Sequence, residues 1–157
     1  MIKINVIAVG KVKEDYFVKA LAEYSKRLSR FCTFTITEVS EENYSKQDDG
    51  LVDKIKRKEG ENILPHLKGY VMATAIEGKK TDSQGFAKLI QSLIDQGKGE
   101  ITFVIGGSYG LCDQVKQRAD RLVSFSDMTF PHTFFRVMLL EQIYRAFCIN
   151  NGVSYHK

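Results

Sequence analysis

Side chains that could move a proton or bind an anion are concentrated near the C-terminus. Arg136, Glu141 and Arg145 occur within one strongly apolar segment, and residues 155–157 read Tyr-His-Lys. A guanidinium can hold an anion, and an imidazole can take up a proton near neutral pH. An aromatic ring beside two cationic groups could contact a base and its phosphates. A terminal histidine is more often a disordered surface residue, so the residues alone leave both interpretations open.

The segment that carries these charges has the periodicity of an α-helix. At about 100° per residue, its apolar residues form one arc: Val137, Leu139, Leu140, Ile143, Tyr144 and Phe147. Arg136 falls within this arc, whereas Glu141 and Arg145 form an acid–base pair on the other side. Because burying an unpaired guanidinium is very costly, we expect Arg136 to meet backbone carbonyls, a carboxylate or an anionic ligand. Arg145 is either half of a surface ion pair or a contact for RNA.

The first turns of the same helix are apolar on every side, since Phe134, Phe135 and Met138 lie off the main arc. A helix with two apolar faces needs two partners, of which one is its own sheet. A symmetric homodimer is the commonest way to supply the second partner. The pattern therefore predicts a homodimer.

A glycine-rich stretch, VIGGSYG at residues 104–110, follows an apolar strand and precedes a helix. Glycine lets the backbone approach a ligand closely and reach positive φ. The spacing fits neither the G-x-G-x-x-G dinucleotide fingerprint nor a P-loop, because no Lys-Ser or Lys-Thr follows Gly110. A plain strand-to-helix turn explains the glycines equally well. The pattern by itself indicates at most a small-ligand site built mainly from backbone.

Strands and helices alternate along the chain in a way that predicts its architecture. The sequence predicts strands at 2–10, 33–39, 70–76, 100–107 and 121–126, a polar loop at 40–50, a turn at 77–82 and a last helix at about 133–150. Strands that are apolar on both faces indicate one domain, residues 1–157, with a three-layer α/β/α fold and a mostly parallel sheet of about five strands. Ligands bind such sheets at the carboxyl ends of the strands. The strand ends to examine are 74–78, 106–110 and 124–131.

The composition excludes several classes of protein. Hydrophobic residues make up 43% and charged residues 27% of 157 residues, which is typical of a globular domain. No apolar run reaches the ~20 residues of a membrane span, and three scattered cysteines predict free thiols in a cytoplasmic protein. The three histidines have no metal-ligand spacing, so we expect no metal site. The net charge of +4 permits an anionic partner, and the run DKIKRK at 53–58 is either a solvated helix face or a patch that faces RNA.

Several stretches together resemble one known family. The glycine stretch, the segment LVSFSDMTFPHTFFRVMLLEQIYRAF at 122–147 and the final YHK are similar to the ribosomal RNA large subunit methyltransferase H family of the SPOUT class. The opening IKINVIAVGKVKEDYF and the total length also match, so the resemblance covers essentially the whole chain. It implies a C-terminal part threaded as a trefoil knot, although general folding rules exclude knots. It also implies a cytoplasmic homodimer that acts on the assembled 70S ribosome.

The family's activity and sites carry over by this resemblance. It implies transfer of a methyl group from S-adenosyl-L-methionine to N3 of a pseudouridine in 23S ribosomal RNA. The cofactor-binding positions it implies are Thr74, Gly106, Phe125, Ser126, Asp127, Met128, Thr129 and Phe130. For catalysis we expect His156 and Arg145 beside the target base, with Tyr155 packing on or orienting it.

One departure from the family affects the cofactor site. Relatives often have Leu-Asp where this chain has Thr74-Ala75. If the cofactor contacts only backbone there, the change is harmless, whereas a contact with the Leu side chain would be lost. The alternative function is therefore a non-catalytic protein that binds the ribosome or its RNA and keeps the fold. A nucleotide-binding enzyme of another class is disfavoured by the missing dinucleotide and P-loop motifs.

Overall fold

The computed structural model describes residues 1–42 and 49–157, and most of the polar loop predicted at 40–50 lies outside them. The chain alternates strands and helices as the sequence predicts. In order, the elements are β1 (Lys3–Val9), α1 (Asp15–Leu28), β2 (Thr33–Val39), α2 (Asp49–Ile63), β3 (Tyr70–Lys80), α3 (Ser83–Asp95), β4 (Glu100–Ile105), α4 (Asp113–Arg118), β5 (Arg121–Ser124) and α5 (His132–Asn150), with a short 3₁₀ turn, Leu64–His66, after α2.

The five strands form one sheet in which every neighbouring pair is parallel. The strand order is β2-β1-β4-β3-β5. Helices α1, α3 and α5 cover one face, where the larger core cluster includes Phe86, Phe103 and Leu139. Helices α2 and α4 cover the other face around Ile63, Val104 and Val115. The predicted three-layer fold with a parallel sheet of five strands is confirmed, while the trefoil threading stays a prediction.

Strand β3 is longer than the sequence predicts. Its composition suggests a turn from residue 77, but the strand runs to Lys80. Pairing with β5 is irregular, since Thr74 and Lys79 both pair with Val123 and the residues between them bulge outward. Gly78 lies against the β5 backbone, where a Cβ would come within 2.7 Å of Val123 main-chain atoms. The glycine that reads as a turn signal is needed for close packing of two strands.

The cap of α3 is well defined, and the predicted free thiols agree with the structure. Asp82 caps α3, because its carboxylate accepts a hydrogen bond of 2.7 Å from the Gly85 amide. Cys32, Cys112 and Cys148 are all buried and free. Among the described residues, no helix combines the length and hydropathy needed to cross a membrane.

Candidate functional site

The three strand ends selected from the sequence lie side by side. Strands β4, β3 and β5 are neighbours in a parallel sheet, so their carboxyl ends meet at one edge. The glycine stretch after β4 closes into a tight turn, in which the Gly110 amide donates to the Gly107 carbonyl at 3.1 Å. A Cβ on Gly106 would come within 2.7 Å of the Gly110 backbone, and Gly110 has a φ of +85°. The turn therefore needs glycine; Gly106 and Gly107 are buried, whereas Gly110 is exposed.

Thr74 lies at the end of the regular part of β3, and its side chain is turned into the sheet. The hydroxyl donates a hydrogen bond of 2.9 Å to the carbonyl of Val104 in β4. The polar group of the side chain is therefore already satisfied.

The segment after β5, residues 125–130, is anchored at one end and exposed at the other. The Phe125 ring packs at 5.3 Å from the rings of both Phe86 and Phe135. The Ser126 hydroxyl accepts from the Met128 amide at 3.0 Å, and Asp127 forms an ion pair with Lys80 of β3. Because Phe125 is held by α3 and α5, it fixes the start of the segment.

Met128, Thr129 and Phe130 complete the predicted cofactor-binding segment. Met128 is 72% exposed and Thr129 is also exposed, whereas Phe130 is half-buried. The edge thus combines a glycine-rich turn with an exposed apolar side chain, that of Met128. Within residues 1–42 and 49–157, no group of His, Cys, Asp or Glu is arranged to hold a metal ion.

The three residues predicted to act in catalysis form a separate group around Glu141. The Tyr155 hydroxyl donates to Glu141 Oε1 at 3.1 Å, and Arg145 Nε donates to the same oxygen at 3.0 Å. The Arg145 guanidinium lies 4.7 Å from the centre of the Tyr155 ring, and its Nη1 lies 3.1 Å from His156 Nδ1. The terminal segment is therefore ordered against α5 by side-chain contacts. The Arg145–Glu141 pair is not an ordinary surface pair, since its side chains are only 24% and 18% exposed.

The protonation of this group follows from its contacts. The hydrogen bond with Glu141 raises the pKa of Arg145, so the guanidinium stays charged. Burial, together with hydrogen bonds to Tyr24 and Glu141 and the Glu141 charge, raises the pKa of the Tyr155 phenol well above its usual value. A guanidinium can only donate, so His156 Nδ1 is the acceptor from Arg145 and carries a lone pair.

The terminal group and the strand-end loops form separate sets of contacts in the described part of the chain. In the described residues, no hydrogen bond, ion pair or ring contact joins His156 to residues 125–130. Phe135, which holds that segment, and Arg145, which holds His156, are ten positions apart on α5. At ~1.5 Å of rise per residue they are separated by about 15 Å.

Arg136 has the partners that the sequence argument requires. Its side chain is fully buried, and Nη1 donates to Glu38 Oε2 at 2.6 Å. Nη2 donates to the carbonyls of Val9 and Gly10 at 3.1 and 3.0 Å. Glu38 also accepts from the Val12 amide at 3.0 Å. Arg136 therefore ties the start of α5 to the ends of β1 and β2 and is a structural residue.

The second apolar face of α5 borders an open groove. The groove has a volume of about 670 Å³ and is lined on α5 by Phe134, Val137, Met138, Glu141 and Gln142. Phe134 is 42% exposed. Phe135, which the sequence also assigned to this face, packs instead on Phe125 of its own chain. The groove reaches Phe125 and Glu141, and so connects the loop anchor with the terminal group.

One buried acid at the same edge was not singled out from the sequence. Glu59 of α2 is only 2% exposed; its Oε2 accepts from the Glu42 amide at 3.1 Å, and its Oε1 has no hydrogen-bond partner. A Cβ on Gly107 would lie 3.0 Å from Glu59 Oε1. Burial raises the pKa of Glu59 to about 6, and the nearby carboxylates of Glu41 and Glu42 add to the rise.

The spacing of α2 contains a signal that could have identified this acid. Ile55, Glu59 and Ile63 are four residues apart, and all three are at most 2% exposed. Residues at that spacing lie on one face of a helix. Glu59 therefore interrupts the apolar stripe of α2 with a carboxyl group, although the surrounding sequence KRKEGEN looks like a solvated surface.

Comparison with known proteins gives a consistent result over the whole chain. Residues 2–156 match the family model described as "Predicted SPOUT methyltransferase". The chain is 51% identical to the protein of Lactobacillus acidophilus named "Ribosomal RNA large subunit methyltransferase H", over 98% of this chain and 99% of the relative. It is 52% identical to the protein of the same name from Bifidobacterium adolescentis, over 99% of both chains.

Two solved structures share the fold at low sequence identity. A probable methylase family protein from Haemophilus influenzae superposes with a TM-score of 0.54 at 14% identity, over 99% of this chain and 70% of that one. A probable methyltransferase from Bordetella pertussis also gives 0.54 at 14% identity, over 91% of this chain and 95% of that one. At this level of identity the likeness concerns the fold alone.

Proposed function

The chain belongs to the SPOUT methyltransferase family, and from that premise we propose that it methylates N3 of a pseudouridine in 23S ribosomal RNA, with S-adenosyl-L-methionine as methyl donor. One observation carries the proposal. Relatives that are about half identical over the full length are named ribosomal RNA large subunit methyltransferase H. The family match over residues 2–156 includes both the strand-end loops and the terminal residues.

The donor would bind at the carboxyl ends of β3, β4 and β5. Thr74 and Gly106 would contact it through their main chains, because the Thr74 hydroxyl is engaged in the sheet and Gly106 has no side chain. Residues 125–130 would enclose it from the other side, held by Phe125 and by the Asp127–Lys80 pair. The bound sulfonium supplies an electrophilic methyl group, and the loops orient it for in-line attack.

His156 and Arg145 would act on the target base, and Tyr155 would orient them. Attack by N3 forms a nitrogen–carbon bond and releases the N3 proton, and the donor leaves as a neutral thioether. Arg145 and Tyr155 would both retain their protons, so the imidazole of His156 would take the N3 proton. Because Nδ1 accepts from Arg145 in this arrangement, that contact would have to open first. The charged guanidinium beside it would stabilise negative charge that develops on the base.

A homodimer would complete this site. The apolar groove along Phe134, Val137 and Met138 offers a second copy a surface, and a symmetric pairing would cover both grooves. The separation of about 15 Å between Phe135 and Arg145 along α5 supports a site in which one subunit binds the donor and its partner supplies the terminal residues. The substrate would be the assembled 70S ribosome, which places the protein in the cytoplasm.

Removal of residues 155–157 tests the assignment. Mass spectrometry of 23S ribosomal RNA should show the methyl group on pseudouridine with the full chain and not with the truncated chain. Calorimetry with S-adenosylmethionine should give the same dissociation constant for both. Methylation by the truncated chain would refute the roles of Tyr155 and His156. Absence of donor binding by the full chain would instead favour a non-catalytic protein that binds the ribosome.

A further inference from the structure

Glu59 presents a buried, incompletely paired carboxyl group to the glycine turn. Its Oε1 has no partner, although the side chain is 2% exposed. The turn accommodates it only because Gly107 lacks a side chain, since a Cβ there would lie 3.0 and 3.2 Å from the two carboxyl oxygens. A buried polar atom without a partner is unfavourable by about 1–3 kcal/mol.

The charges around Glu59 favour a positive ligand. Glu41 and Glu42, which follow β2, both add negative charge near the group. Arg136 is occupied by Glu38 and two carbonyls, and no ion pair within the described part of the chain involves Glu59 or Glu41. His132 is another titratable group of this region, since a Cβ on Gly10 would lie 3.6 Å from its Nε2 and 3.2 Å from Glu41 Oε2. Among these described groups carboxylates predominate, so they would attract a cation more strongly than a neutral hydroxyl group.

We infer that Glu59 is the counter-ion for the α-ammonium group of the methyl donor. The inference rests on the proposed function, in which the donor lies along Gly106 and the turn that Glu59 supports. The donor's amino-acid end carries this ammonium group, whereas its ribose offers only neutral hydroxyls. Because Oε1 faces the turn from the protein interior, the attraction acts across the backbone of Gly107 and is weakly screened by solvent.

Two nucleosides that differ in the amino-acid end separate this role from a structural one. S-adenosylhomocysteine carries the α-ammonium group, and 5′-methylthioadenosine has the same thioether nucleoside without it. Calorimetry should show that Glu59→Gln weakens binding of S-adenosylhomocysteine by roughly tenfold to a hundredfold. Binding of 5′-methylthioadenosine should change less than about twofold. Glu61→Gln, which removes an exposed carboxylate two positions away on α2, should leave both affinities unchanged.

The outcomes distinguish the inference from the function beneath it. If Glu59→Gln lost the same affinity for both nucleosides, or lost affinity for neither, the role of Glu59 would be overturned. Donor binding by the parent protein would be unaffected by that result. Failure of the parent protein to bind either nucleoside would overturn the proposed function and the inference together. A second measurement uses the parent protein alone. Its affinity for S-adenosylhomocysteine should fall as the pH drops below 6, whereas its affinity for 5′-methylthioadenosine should not change.

Discussion

Replacing Glu59 by glutamine should make the protein more stable near neutral pH. Burial raises the pKa of this carboxyl from about 4.5 to about 6, so the folded state holds the proton more tightly than the unfolded chain. This preference for the proton stabilises the folded state fully below pH 4.5, and the stabilisation is lost as the pH rises through 6. At about 1.4 kcal/mol per pKa unit, the loss above pH 6 is about 2 kcal/mol. Glutamine keeps the shape of the protonated acid and avoids that loss.

Urea denaturation at a fixed protein concentration, at pH 4.5 and pH 7.5, measures the effect. Glu59→Gln should match the parent protein at the lower pH and exceed it by about 2 kcal/mol at the higher one, which corresponds to a rise of about 4–8 °C in Tm. Glu61→Gln serves as the exposed control and should shift neither value by more than about 0.5 kcal/mol. Equal stability of Glu59→Gln and parent at pH 7.5 would refute the account of Glu59 as a desolvated acid.

Three further substitutions test other contacts. Glu38→Ala should lower the free energy of unfolding by about 3 kcal/mol, because it leaves the buried guanidinium of Arg136 without its carboxylate; a loss below 1 kcal/mol would contradict this. Gly60→Ala should lower the free energy of unfolding by about 1–3 kcal/mol, since the new Cβ would lie 2.4 Å from the sulfur of Cys112. Adding Cys112→Ala should restore most of this stability, as measured by thermal melts. Thr74→Val should lower the free energy of unfolding by about 1 kcal/mol, because it removes the hydrogen bond to Val104. The affinity for S-adenosylhomocysteine should stay within about threefold of the parent value. A larger fall, measured by calorimetry, would show that the hydroxyl is used in binding.

Features that depend on neighbouring residues could be predicted from the sequence. The alternating pattern of residues 33–39 gives the bounds of β2. The alternation of strands and helices predicts a parallel sheet, and a parallel sheet places the three candidate loops at one edge. These features follow from side-chain periodicity and local hydrogen bonding, which operate within a few residues.

Features that depend on distant residues could not be derived in this way. The cost of burying Arg136 shows that a partner exists, but Glu38 and the β1 carbonyls are 98 and more positions away. The extension of β3 depends on Gly78 lying against β5, and a glycine between charged residues gives a turn signal in the sequence. Glu59 was missed because its charged neighbours hide the four-residue spacing with Ile55 and Ile63.

The bond network of Arg136 has a consequence for the order in which the chain can fold. Strand β1 lies in the sheet between β2 and β4, and its last carbonyls are bound by a residue more than 120 positions later. During synthesis, β1 can pair with β2 early, but its other neighbour, β4, and its terminal contact with α5 appear only after about 100 and about 130 residues have been made. Such long-range pairing slows folding. Premature termination before α5 would leave the end of β1 open, so shortened products should be cleared rather than accumulate.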